Sequence, residues 1–194
     1  MNMEPTDARD RADMERLIAG QDTALNNLME RHATPVFHFL CRMVGNEDDA
    51  NDLAQETFLR VFKSRESFRT SEKFSTWLFT IAANLARNHF RWRSRHLNIS
   101  LETKSLETEQ TLDSTIPAND PSPNEQALAT ERAAAVRAAV GKLPEDLREA
   151  IVLCEWEERS VAEAAKILES SPKAVESRLY HARQLLRERL KSWL

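Results

Sequence analysis

FSTWLFTIAANLARNHFRWRSR, residues 74–95, decides how this chain is read. Its apolar residues recur at helical spacing, with aromatics, asparagines and arginines interleaved among them. Asn84, Arg87, Asn88 and Arg91 fall at i, i+3, i+4 and i+7, so a helix lines them along one face. Such a face suits an opened nucleic-acid strand: bases stack on aromatics, amides bond base edges and arginines neutralise phosphates. Just upstream, DANDLAQETFLRVF at 49–62 predicts a second helix. Ala50, Leu53, Ala54, Phe58, Val61 and Phe62 form its apolar stripe, and Asp52, Gln55 and Glu56 lie outside it. That acidic, amide-rich face would repel a DNA backbone and suits docking onto a protein.

Further upstream, residues 22–43 predict an amphipathic helix, with Thr34 and Pro35 set to kink or restart it. Gly45 and Asn46 close that helix, and Glu47, Asp48 and Asp49 favour the positive N-terminus of the next. Residues 65–73 read as a basic loop. Between Asn98 and Gln126 the periodicity dissolves into Ser, Thr, Pro and acids, which predicts a flexible acidic linker without a packed core. Drawn out, it could thread a basic channel; otherwise it is a solvated tether.

Helical segments resume at about 127–140, 144–156, 160–168 and 172–192. Pro144 suits a first helical position, Ser160 with Glu163 makes a capping box, and Ser171-Pro172 starts the last helix. VAEAAKIL, the turn ESS and PKAVESRLYHARQLLRERL have the proportions of a helix-turn-helix, although the turn lacks the usual Gly. On the last helix Arg178, His181 and Arg183 are expected close together, as a major-groove reader needs.

The 194 residues hold only three glycines, and their Ala, Leu, Glu, Arg and Lys content predicts an all-α fold of one or two small domains. The net charge of −4 hides an uneven distribution. Residues 1–59 are acidic, 60–95 are basic, and the chain is basic again from 170, which suggests two nucleic-acid contacts. No apolar run is long enough for a bilayer helix, and the polar start MNMEPTDARDRADMER does not read as a signal peptide. The expected location is therefore the cytoplasm, without stable membrane insertion. Cys41 and Cys154 read as two buried free thiols, and no Cys/His spacing suggests zinc or any other metal.

Two rival functions remain open on the residues alone. Asp49, Asp52 and Glu56 could ligate Mg²⁺ in an all-α pyrophosphohydrolase, but such enzymes need a second acidic helix pair, and none has that spacing. A plain helix-turn-helix regulator would account for the last third and leave the residue 74–95 helix unexplained.

In this order, DANDLAQETFLRVF, RESFRTSEKFSTWLFTIAANLARN and LPEDLREAIVL…SVAEAAKIL…SPKAVESRLYHAR resemble the bacterial RNA polymerase sigma factors of the extracytoplasmic-function (ECF) group. The resemblance implies two small helical domains. Residues 1–97 would be sigma region 2, 98–126 the linker and 127–194 sigma region 4. It implies a non-enzymatic protein without cofactors, whose partners are core RNA polymerase (the β′ clamp and β flap), promoter DNA and an anti-sigma factor. It assigns Asp52, Leu53, Gln55, Glu56 and Phe58 to the segment that docks on the clamp, although Leu53 and Phe58 fit a core role equally well. Phe68 and Arg69 in the loop, with Trp77, Asn84, Arg87, Asn88 and Arg91, would meet the −10 element as melted strand. Lys173, Glu176, Ser177, Arg178, Tyr180, His181 and Arg183 would lie near the −35 element. Many relatives carry a basic residue in place of Glu176 and an Arg in place of His181. A carboxylate accepts from cytosine N4, so either the base preference there differs or Glu176 pairs near Lys173 and Tyr180 and reads nothing.

Overall fold

A computed structural model describes residues 5–97 and 123–193. Every regular element among them is helical: α1 (Pro5–Ile18), α2 (Ala24–Val44), α3 (Glu47–Lys63), α4 (Phe74–Leu97), α5 (Pro123–Gly141), α6 (Glu145–Ile151), α7 (Val161–Ile167) and α8 (Pro172–Arg189). Short 3₁₀ turns follow α3 and α8, and one π-helical turn, Val152–Trp156, extends α6.

The first half packs α1–α4 as a bundle. Gly45 ends α2 in the left-handed conformation, with φ 74°, and its N–H bonds the Cys41 carbonyl. Asn46 then caps α3 by accepting from the Asp49 N–H at 2.9 Å. Phe39, Phe74, Phe79, Leu40 and Leu78 are fully buried, and Phe39 and Phe79 meet edge to face with centroids 5.3 Å apart.

Two features refine the sequence expectation. Of the kink or restart expected at Pro35, the restart does not occur: Pro35 sits inside an unbroken α2. Proline costs a helix one hydrogen bond, here the one to the Arg31 carbonyl, but buried Leu28, His32, Val36, Phe39 and Leu40 hold both sides of it to the core. Secondly, the N-terminal segment expected to be merely polar is α1, which buries Met14 and Leu17 completely. Its acids are internal too. Asp10 accepts from Arg31 Nε at 2.8 Å and shares a hydrogen with His32 Nε2 at 2.8 Å. Asp13 accepts from Arg31 Nη2 at 2.6 Å and from Asn27 at 3.0 Å. Burial pushes the Asp13 carboxyl upward, but the hydrogen bonds from Arg31 and Asn27 outweigh it and hold it below its ordinary value.

In the second half, α6 and α7 pack on α8. Pro144 stands at the N-cap of α6, one residue outside the helix. The Ser160–Glu163 capping box and the Ser171 cap before Pro172 both form. The turn between α7 and α8 reaches left-handed geometry at Glu169, φ 50°, where a Gly is commoner. Helix α5 begins at Pro123, so the last residues expected in the linker are helical; its remainder, 98–122, lies outside the described residues.

The halves touch. Helix α7 lies on α4, and α5, α6 and the π turn reach α2. Buried apolar side chains from both halves form one connected cluster. Among the described residues, no helix is long and apolar enough to cross a membrane.

Candidate nucleic-acid interface

Helix α4 carries the asparagine–arginine face, and its register follows from what the opposite face buries. Leu78, Ala82, Leu85 and Ala86 are buried, which turns Asn88 and Arg91 to solvent and leaves Asn84 and Arg87 half-buried. Arg91 Nη2 donates to Asn88 Oδ1 at 3.0 Å. Beyond them Trp92 is 56 % exposed, and its ring stacks on His96 with centroids 4.3 Å apart. Arg87 is turned away from that group: its Nε donates to Glu149 Oε1 of α6 at 2.8 Å.

The loop before α4 corrects the expectation for Phe68. Its ring is 6 % exposed and lies 5.2 Å from Trp77 and 6.1 Å from Phe74, so it is core and does not display a face to a base. Arg69 is exposed, and Trp77 is half-buried against Phe68 and Phe74.

On α3, Asp52 and Gln55 are exposed and Glu56 is half-exposed, paired with Arg60 at 2.8 Å. Leu53 is half-buried against the core and Phe58 is buried, so Phe58 offers no surface for docking. Sequence reading missed Leu59, which is 44 % exposed. It continues the Asp52, Gln55, Glu56 row at i+7 and puts an apolar anchor in the polar face. The signal was present: Leu59 is the one large apolar residue of 49–62 off the core stripe.

On α8, Val175, Leu179 and Ala182 are buried. Lys173, Glu176, Ser177, Tyr180 and His181 are exposed, with Tyr180 at 60 %. The expectation that Arg178, His181 and Arg183 cluster is corrected. Five helical residues turn Arg178 and Arg183 about 140° apart around the axis. Arg178 leans to Asp146 of α6 at 3.8 Å, and Arg183 bonds Glu155 of the π turn. Exposed Gln184, one turn beyond Tyr180, joins the outward face and was missed.

Among the described residues, no group of three or more His, Cys, Asp or Glu side chains could hold a metal ion. Of the two cysteines expected to be buried, Cys154 is only partly so, whereas Cys41 is buried and its thiol is pushed up to about 11, chiefly by burial.

Residues 28–96 match the Sigma-70 region 2 family and residues 133–186 the Sigma-70 region 4 family. The ECF RNA polymerase sigma factor SigW of Bacillus subtilis is 30 % identical over 92 % of this chain and 95 % of its own length. The chain belongs to the ECF sigma factors. RNA polymerase sigma factor CarQ of Myxococcus xanthus is 38 % identical over 91 % of this chain and 95 % of its own. Among solved structures, CnrH in complex with the cytosolic domain of CnrY superposes with a TM-score of 0.69, at 26 % identity, over 95 % of this chain and 98 % of that one. The sigma factor RpoE of Bartonella quintana, in complex with the anti-sigma factor NepR, superposes with a TM-score of 0.67, at 26 % identity, over 86 % of this chain and 96 % of that one. As a sigma factor the chain acts in promoter-specific transcription initiation, as a DNA-binding regulator of RNA polymerase.

Proposed function

We propose that the work is divided between the two halves as follows. Residues 1–97 act as region 2, docking on the β′ clamp through Asp52, Gln55, Glu56 and Leu59 of α3. They hold the melted −10 strand along Asn84, Arg87, Asn88 and Arg91 of α4, with Arg69 at the loop and Trp92 as a stacking surface. Residues 127–194 act as region 4, reading the −35 duplex with Lys173, Glu176, Ser177, Tyr180, His181 and Gln184 of α8 and contacting the β flap. Arg178 and Arg183 supply phosphate affinity once free of their acids. An anti-sigma protein is the expected inhibitor, by analogy with the solved neighbour RpoE, which is bound to the anti-sigma factor NepR.

The observation that supports this most is the row on α4. Asn84, Asn88 and Arg91 share one helix face beside an exposed indole, with an apolar core behind them, and Arg87 lies in the same row with its guanidinium drawn aside to Glu149. A base edge takes two hydrogen bonds from an amide, and a backbone takes charge from arginine. On α8, Glu176 accepts where a basic side chain would donate, so it shapes the −35 preference.

Run-off transcription with purified core polymerase tests the division. Replacing Asn84 and Asn88 with Ala should lower binding to a single-stranded −10 oligonucleotide by about 1–3 kcal/mol and slow open-complex formation. Duplex −35 binding should be unchanged. Replacing Gln55 and Glu56 with Lys should weaken core binding while helicity is retained. Equal loss of both DNA activities in the asparagine variant, or unchanged core affinity in the lysine variant, would refute the corresponding assignment.

A further inference from the structure

The outward face of α8 carries two opposite charges side by side, and neither is spent on the other. Ser171 caps the helix by accepting from the Ala174 N–H at 3.2 Å, and Pro172 stands in its first turn. Lys173 and Glu176 therefore belong to the N-terminal turns, which a helix-turn-helix protein points at base edges in the major groove. Val175, Leu179 and Ala182 are buried on the opposite side, which turns both charges to solvent. At i and i+3 they are neighbours on the helix surface, about 5–6 Å apart at Cβ. Among the described residues, however, the ion pairs of α8 are Arg178 with Asp146 and Arg183 with Glu155. The Tyr180 ring meets His181 edge to face, with centroids 5.5 Å apart. Of the two fates open to Glu176, self-pairing is the one that the geometry disfavours.

We propose that Lys173 and Glu176 together read a single G·C pair of the −35 duplex, Glu176 accepting from cytosine N4 and Lys173 donating to guanine O6 and N7. This rests on the reading of α8 as the −35 helix, to which it adds the base and the second residue that reads it.

The choice of base follows from what a carboxylate tolerates. Between two rows of phosphates it is repelled unless it meets a donor. The major groove offers two kinds, adenine N6 and cytosine N4. Adenine N6 has the N7 acceptor of its own base beside it, so a carboxylate placed there sets one oxygen lone pair against another. Cytosine presents no acceptor on its own edge. The acceptors next to cytosine N4 belong to the paired guanine, and these want a donor. Lys173 supplies one from three residues upstream, with a stem long enough to reach across the pair. An ammonium and a carboxylate at this spacing thus match the acceptor and donor sides of one G·C pair, and their mutual attraction is kept in the complex.

Selection of promoters with a randomised −35 element tests this, using core polymerase charged with the full-length chain. Wild type is compared with Glu176→Ala, Glu176→Gln, Lys173→Ala and the double alanine variant, with helicity checked by circular dichroism. Wild type should select cytosine at one position and discriminate about tenfold against replacing that pair. Glu176→Ala should flatten the preference there and leave the other positions as they were. Glu176→Gln should move it to adenine, because a carboxamide bonds N6 and N7 together. Lys173→Ala should lower discrimination at the same position, and the double variant should lose less there than the two singles summed. The pair is refuted if the glutamine variant returns the wild-type consensus, or if Lys173→Ala weakens every sequence equally, as a phosphate contact would. A wild-type chain that selects no −35 sequence at all would instead refute the −35 reading of α8, and the proposal with it.

Discussion

The Asp10–Asp13–Arg31–His32 cluster between α1 and α2, and the Arg87–Glu149 pair between α4 and α6, are both buried ion clusters, yet their carboxylates respond in opposite ways. In the first, every Arg31 contact is matched: Nε and Nη2 go to different carboxylates, and Asn27 adds a third donor. Asp13 is held below its ordinary value and Arg31 is raised above its own. In the second, one short hydrogen bond faces a larger desolvation cost, and Glu149 rises to about 7. A saturated cluster is a clamp that binds a helix into its module. An undersatisfied one marks a joint between modules.

The largest expected contrast comes from deletion. Asp10→Ala strands His32 and leaves Arg31 with Asp13 alone, and removing one partner of a buried pair costs about 3 kcal/mol, read as a lower denaturation midpoint. Loss of less than about 1 kcal/mol would mean that α1 is held by Met14 and Leu17 alone.

Acid separates the two sites by sign. Asp13, lowered in the folded chain, contributes stability above its unfolded value that fades as pH falls through its folded one. Glu149 is raised, so the packed α4–α6 contact binds the extra proton between the ordinary 4.5 and about 7, and ionisation of Glu149 weakens that packing above the window. Arg87 from α4, Arg178 from α8, and Glu145 and Asp146 of its own helix face it. Glu157, raised by burial beside Arg42 and Arg159, acts in the same direction. Going from pH 8 to pH 6 should strengthen the packing of the two halves about tenfold through Glu149, seen as a smaller radius of gyration. A radius that grows on acidification would reverse the assignment.

The smallest effect expected is that of Glu149→Gln. It keeps an acceptor for Arg87 without the buried charge, so the chain stays compact and its stability moves by about 1 kcal/mol or less. The pH response shrinks to what Glu157 supplies. An undiminished response in this variant would move the titrating group elsewhere.

Much of this fold was legible because its punctuation is local. Gly45, the Ser160–Glu163 box and Ser171-Pro172 each act within a few residues, and the α3 and α4 stripes repeat at helical spacing. What escaped depends on distance. Asp10 and Asp13 read as solvated charges until Arg31 and His32, about twenty residues later, are brought against them. The same charges hid α1, whose Met14 and Leu17 are too few to set a period. Phe68 looked like a loop aromatic because nothing nearby announces that Phe74 and Trp77 fold back over it. The row on α4 could be read from spacing, whereas the capture of Arg87 by Glu149, sixty-two residues on, could not.

Sequencing of run-off transcripts from a fragmented genome tests the central claim most directly, with core polymerase alone, with this chain, and with its Asn84→Ala/Asn88→Ala variant. The account predicts start sites that appear only with the chain, share spaced −10 and −35 elements, and are depleted in the variant while its −35 binding persists. Start sites that do not depend on the chain, or that the variant uses as well as wild type does, would contradict it.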